Sequence, residues 1–424
     1  MDKQMNSVIT CDLDGKLETY NEGAEKLFGY TPEEIIGKHR VSDFSPGQVV
    51  LGHVVNWLDE AVKKGAWEGD TVFLHKDGHE MPCHIKITPT KGKNGEHIGY
   101  CGVTTLLETK TPDQVRPKIS LMTKVFTWLV IMRLPFLTAT IVPILVGAAV
   151  AHLHFDVSWG WLGLTLLGAS LLHIGTNTAN DYFDHTSGTD KANYNYMVPF
   201  SGGSRSIQMG LISAKGMLTV ALVSFALSAV VGIPLILKAG LPVLWLGLIG
   251  FVSGFFYTAP PFRFASWKGM GELLIGLNFG PLMVAGSALV QTGKLLPEAF
   301  LAGIPIGFLV AAIVYINEFP DHNSDKATGK NTLIVVFGPE KARIGYVLLI
   351  AGAFVSIVVM ALNGTFPMLS MIALAACYFG VKAVKTLYQY YDNRLLKPAN
   401  AGTINMHFVA GILFCIGIWL GTPV

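Results

Sequence analysis

Two polar stretches interrupt an otherwise apolar chain: Asn177-Thr-Ala-Asn-Asp-Tyr-Phe-Asp-His-Thr-Ser-Gly-Thr-Asp190 and Asn317-Glu-Phe-Pro-Asp-His-Asn-Ser-Asp-Lys-Ala-Thr-Gly-Lys330. Each closes a long apolar run, where a helix crossing a bilayer should reach water. Carboxylates at that depth are costly and by default mark a functional site. On a helix, Asn177, Asp181 and Asp184 fall at i, i+4 and i+7, and Asn317, Asp321 and Asp325 at i, i+4 and i+8. Each stretch can therefore aim several oxygen atoms at one point. Two such ladders facing each other would suit hard Mg²⁺, which takes carboxylate, water and phosphate oxygens.

Composition divides the chain. Hydrophobic residues make up 51% of the 424 and charged residues 14%, with a mean hydropathy of +0.46, whereas a soluble domain carries about a quarter charged residues. The deficit lies after residue 120. The reading is a soluble head (1–110), a linker (111–119, with Pro112 and Pro117) and a membrane body (120–424). A net charge of +2 gives no case for nucleic acid. The five cysteines lack metal-ligand spacing and imply no disulfide framework. Residues 1–20 do not read as a signal peptide, so the head is expected in the cytoplasm.

In the head, Asp14-Gly15 between two alternating runs signals a hairpin. Asn21 is placed to cap a short helix, and Thr31 with Glu34 forms a capping box. Lys76-Asp-Gly78 and Asn94-Gly95 separate three later strands. The residues Asp12-x-Asp14-Gly15, Asn21-x-x-Ala24, Phe28-Gly29-Tyr30-x-x-Glu33-Glu34-x-x-Gly37 and Lys76-Asp77-Gly78 resemble a PAS domain. That resemblance implies a small α+β sensor, with a ligand the sequence leaves unknown and a role open to dimer or partner contacts. His39, His53, His75, His79 and His84 are candidate haem ligands, and surface or core histidine is the alternative. Cys11, Cys83 and Cys101 read as buried small residues.

A span needs about 20 apolar residues. Nine runs qualify, near 134–153, 160–180, 216–237, 242–258, 272–291, 299–318, 344–363, 366–385 and 403–421. Thirteen lysines and arginines, among them Lys191, Arg205, Lys268, Lys330 and Arg394, fall in loops on one side, against Lys238 and Lys294 on the other. The positive-inside rule then puts the head and both acidic stretches on the cytoplasmic side of the inner membrane. Four spans separate the two stretches, which suggests a duplicated four-helix unit plus a ninth helix. An ion-coupled transporter is the alternative from another class, although transporter sites lie near the midplane. A PAS-linked membrane receptor is a third.

The expected metal ligands are Asp181, Asp184, Asp190, Asp321 and Asp325. Arg205, in Ser201-Gly-Gly-Ser-Arg205, and Lys330 are the candidate phosphate-binding cations, because arginine offers a fork and lysine a point charge. Asn177, Asn180, Lys268 and Tyr257 complete the candidate substrate contacts. For Lys268, anchoring at the membrane surface is the alternative.

The body resembles the UbiA-type intramembrane prenyltransferases. It does so through Arg133-x-Pro135-Phe136, Asn180-Asp181-Tyr182-x-Asp184-x-x-x-Gly188-x-Asp190, Tyr257-x-x-Pro260-Pro261, Gly269-x-Gly271-Glu272 and Asp321-x-x-x-Asp325-x-x-x-Gly329-Lys330-x-Thr332. The resemblance implies nine transmembrane helices and Mg²⁺-dependent transfer of a polyprenyl group from its diphosphate to an aromatic acceptor. Asp181, Asp184, Asp321, Lys330 and Arg205 would then be catalytic. Two branches, one acting on 4-hydroxybenzoate and one making haem O, usually carry an aspartate where this chain has Gly188. The Gly188-x-Asp190 spacing and the Gly329-Lys330-x-Thr332-Leu333 ending look instead like the 1,4-dihydroxy-2-naphthoate branch, which serves menaquinone synthesis.

Overall fold

The computed structural model describes residues 6–421. Two compact units emerge. One runs to Ile131 and includes Arg205–Ser213, and the other joins Met132–Ser204 to the chain from Ala214 onward.

The first unit is built on a five-stranded antiparallel sheet: β1 (Ser7–Asp12), β2 (Leu17–Tyr20), β3 (Trp67–Leu74), β4 (Glu80–Lys91) and β5 (His97–Leu106), in spatial order β2-β1-β5-β4-β3. Asp14-Gly15 turns β1 into β2, which pair as Ile9 with Tyr20. The Asn21 side chain caps α1 (Glu22–Phe28) by accepting the Ala24 N–H at 2.9 Å. The Thr31 N–H bonds Glu34 at 3.0 Å, the expected capping-box arm. One side of the sheet buries an aromatic cluster in which Phe28 lies 4.3 Å from Phe44 and 5.7 Å from Phe73, centroid to centroid. Cys11 and Cys83 are buried with it.

The expected linker is not free-standing coil. Pro112–Val115 forms a helical turn opened by Thr111 and Pro112, with Val115 buried. It leads to α2 (Leu121–Ile131), which belongs to this unit. So does 205–213: the Gly47 N–H donates to the Met209 carbonyl at 3.1 Å.

The second unit is helical, and the chain is a multi-pass membrane protein. Among the described residues seven helices are long and apolar enough to span a bilayer: Leu134–His152, Ala214–Ala239, Met270–Thr292, Pro297–Ala327, Pro339–Leu362, Met368–Tyr390 and Arg394–Leu420. The other two expected runs are helical but fall short of that standard. In α3 (Trp159–Thr186) glycines, His173 and the Asn/Asp ladder dilute the apolar character. In α4 (Leu241–Phe255) the length is only 15 residues. Along Ala214–Ala239, Leu222, Val223, Leu227, Val230, Ile233 and Leu237 are exposed, as suits a lipid-facing surface.

Helix α5 (Pro297–Ala327) is the most enclosed of these seven helices and carries the second ladder. It can approach the kinked stretch Asn278–Leu282 because glycines meet there. A Cβ on Gly280 would lie 2.5 Å from the Gly307 Cα and the Gly303 carbonyl oxygen. That close packing fixes α5 against the wall of the cavity described next.

Candidate active site

A cavity of about 790 Å³ opens inside the helical unit. One end is polar. Asn177, Asn180 and Asp184 from α3 line it, together with Asn317, Glu318, Asp321 and Asp325 from α5. The two ladders, far apart in sequence, thus share one chamber. The remainder is apolar, walled by side chains such as Leu172, Phe225, Leu246, Phe251, Phe279 and Met283.

Lys330 ties the ladders together. Its Nζ donates to Asp184 Oδ2 at 2.8 Å, and its backbone N–H donates to the Asp325 carbonyl at 2.9 Å. Both partners of the ion pair are nearly enclosed, with 11% and 12% of their side-chain surfaces exposed. Asp181 is buried on the same helix as Asp184, with Oδ1 3.5 Å from Arg133 Nη1.

A backbone segment joins the two helices as well. Gly202 and Gly203 have φ of +74° and +71°, so successive N–H groups of this turn point toward the carboxylates. The Gly202 N–H donates to Asp321 Oδ2 at 3.0 Å, and the Ser204 N–H lies 3.3 Å from both Asp181 oxygens. Asn193 Nδ2 adds a 2.6 Å bond to Asp321 Oδ1. A Cβ on Gly203 would lie 2.7 Å from Asp181 Oδ1, so no side chain fits there.

Asp184, Asp321, Asp325, Lys330, Asn177, Asn180 and Tyr257 all line the cavity. Asp181 and Asp190 are buried beside Gly203, next to the chamber rather than among its lining residues. Lys268 is exposed and away from the lining, where the anchoring reading fits it. Arg205 opens the segment that belongs to the first unit. Sequence reasoning did not single out Arg133 as a site residue, although it lines the cavity, nor Asn193 or Glu318. The Arg133-x-Pro135 pattern was the available signal for the first.

The residues fit a divalent cation. Among the described residues four carboxylates (Asp184, Glu318, Asp321, Asp325) but only two lysine or arginine side chains (Arg133, Lys330) line the chamber. Buried negative charge in excess is balanced by bound protons or by further cations, and a divalent cation supplies two charges at once. Asn177 Nδ2 and Glu318 Oε2 are buried with no protein hydrogen-bond partner, leaving a donor and an acceptor for a bound group.

Known proteins share this arrangement of sequence and fold. Residues 140–421 match the UbiA prenyltransferase family and residues 5–105 match the PAS domain. The chain belongs to the UbiA prenyltransferase family, and it is a prenyltransferase with an N-terminal PAS domain. It is 30% identical to the 1,4-dihydroxy-2-naphthoate octaprenyltransferase of Escherichia coli (strain K12), over 69% of this chain and 95% of that protein. It is 27% identical to the 2-carboxy-1,4-naphthoquinone phytyltransferase of Synechocystis sp., over 69% and 94% respectively. In fold it is similar to a UbiA homologue from Archaeoglobus fulgidus bound to DMAPP and Mg²⁺, with a TM-score of 0.50 and 18% identity over 68% of this chain and 99% of that one.

Proposed function

We propose that this chain transfers a polyprenyl group from its diphosphate to 1,4-dihydroxy-2-naphthoate, a step of menaquinone synthesis. The observation that carries the reading is the single chamber, with two Asn/Asp ladders at one end and an apolar space at the other. The names of the two relatives support a naphthalene-ring acceptor. The protein sits in the cytoplasmic membrane with nine helices crossing it, and its head and polar chamber face the cytoplasm, as the lysine and arginine distribution implies.

Asn177, Asn180, Asp184, Asp321 and Asp325 would hold Mg²⁺, with Asp181 and Asp190 behind them. When bound, Mg²⁺ neutralises charge on the diphosphate. Lys330 and Arg133 supply fixed positive charge at the same end, where little water dilutes it. The donor's C–O bond breaks with its electron pair leaving on the diphosphate, a ring carbon of the acceptor bonds the allylic carbon, and that ring carbon sheds the group it carried, hydrogen as a proton or carboxylate as CO₂, to restore the aromatic ring. The aromatic face of Tyr257 offers a stabilising surface to the positive carbon. The prenyl tail occupies the apolar part of the cavity.

The head, residues 1–110, is read as a regulatory sensor. Support comes from the segment 205–213, which packs with the head's own residues and follows directly on Ser204, whose N–H bonds Asp181. A variant lacking residues 1–110 should retain measurable turnover with altered regulation.

The test is incubation of purified membranes with Mg²⁺, a prenyl diphosphate and aromatic acceptors. Prenylated naphthoate product that disappears with EDTA is expected. Product from 4-hydroxybenzoate alone would move the chain to another branch.

A further inference from the structure

We propose that the β3–β4 turn of the head, His75-Lys76-Asp77-Gly78-His79, is a binding site for a divalent transition-metal ion of the Zn²⁺ class. The turn is a built scaffold. The His75 N–H donates to the His79 carbonyl at 2.9 Å, and the Gly78 N–H donates to the His75 carbonyl at 2.9 Å. That closure sets the two imidazoles side by side, with ring centroids 4.6 Å apart and planes 25° from parallel. Asp77 folds back between them. Its Oδ1 lies 3.0 Å from His75 Nδ1 and 2.6 Å from His79 Nδ1. The three ligand atoms all lie within 4.8 Å of one another.

The hydrogen-bond directions favour a cation among them. The Asp77 backbone N–H points at His75 Nδ1 from 3.3 Å, which suits an Nδ1 that bears no hydrogen. With that tautomer His75 Nδ1 and Asp77 Oδ1, 3.0 Å apart, would turn lone pairs toward each other, and a metal ion bonded to both would remove the repulsion. A tetrahedral centre with bonds of about 2.0–2.1 Å places neighbouring ligand atoms roughly 3.3 Å apart, so Asp77 Oδ1 would draw back from its 3.0 and 2.6 Å contacts as the ion enters. The His79 backbone N–H donates to Asp77 Oδ1 at 3.1 Å and holds the carboxylate in the turn.

Two imidazoles with one carboxylate select Zn²⁺ and its neighbours, whereas Mg²⁺ demands oxygen. The site is thus chemically distinct from the acidic ladders. It is also tied into the head: the Lys76 N–H donates to the Phe28 carbonyl at 3.0 Å, and the His75 ring packs on Gly29. A bound ion would stiffen the hairpin against the end of α1.

The test uses the full-length, tag-free protein in detergent, stripped of metal and then held in excess Mg²⁺. Titration with Co²⁺ should give one equivalent with ligand-field absorption bands that Zn²⁺ abolishes. His79→Ala and Asp77→Ala should each weaken Co²⁺ binding by at least about 10-fold, the loss that even an outer-sphere partner produces. His84→Ala, a surface histidine paired with Asp70 at 2.7 Å, should bind as wild type does. Absence of Co²⁺ binding overturns the proposal, as does equal binding by wild type and His79→Ala. Circular dichroism of each variant separates loss of the site from loss of the fold.

Discussion

Asp181 and Asp321, on different helices and in different halves of the membrane unit, accept hydrogen bonds from one turn of backbone: Ser204 serves the first and Gly202 the second. Arg133 adds a cation 3.5 Å from Asp181, and Asn193 a 2.6 Å hydrogen bond to Asp321. The glycine turn supplies N–H dipoles to both without adding side-chain bulk.

Acids from both ladders should therefore matter alike to catalysis. Asp184→Asn and Asp321→Asn are each expected to lower turnover by about 10²–10³-fold, the scale of losing a preorganised electrostatic contact. Membrane insertion should be retained. Prenylated product formed under Mg²⁺ reads this directly, and wild-type turnover in both variants would remove the metal assignment.

Gly203→Val tests the turn itself. An L-residue at φ +71° costs about 1–2 kcal/mol, and its Cβ would press on Asp181 at 2.7 Å. A shift of the carboxylates by a fraction of an ångström should reduce turnover by up to about 10²-fold. Gly210→Val is the control, since it also has positive φ but open space around its Cβ. Equal activity in the two variants would show that the crowding at Gly203 is harmless.

Lys330→Met should be more damaging than Lys330→Arg. Removing one member of an enclosed ion pair leaves Asp184 uncompensated, which costs about 3–5 kcal/mol. The expected signature is lower thermal stability without Mg²⁺ and partial recovery with it. Arginine keeps the charge and should retain more turnover at a raised KM for the prenyl diphosphate.

In the head, burial pushes the Cys11 and Cys83 thiols up to about 12. The thiolate is the reactive form, so neither should be alkylated by iodoacetamide in the folded protein at mildly alkaline pH. Mass spectrometry before and after denaturant checks this. Rapid labelling of either residue in the folded state would reopen a redox role.

His39, His79 and His84 sit beside Asp43, Asp77 and Asp70, and His53 bonds the Lys118 carbonyl at 3.1 Å.

What the sequence determined by itself is whatever depends on neighbours a few residues away. Period 3.6 placed Asn177, Asp181 and Asp184 on one helix and Asn317, Asp321 and Asp325 on another. Apolar runs marked the helical segments, and Asp-Gly, Asn-Gly and the Asn21 cap marked the turns of the head. Tertiary structure decided which distant groups meet. It brought Arg133 to Asp181 and Lys330 to Asp184, joined the two ladders through Gly202–Ser204, left Lys268 outside, and gave the segment from Arg205 onward to the head's unit. Local propensity carries no record of such contacts, because they arise only when helices pack and close a chamber whose charge must be balanced from several elements at once.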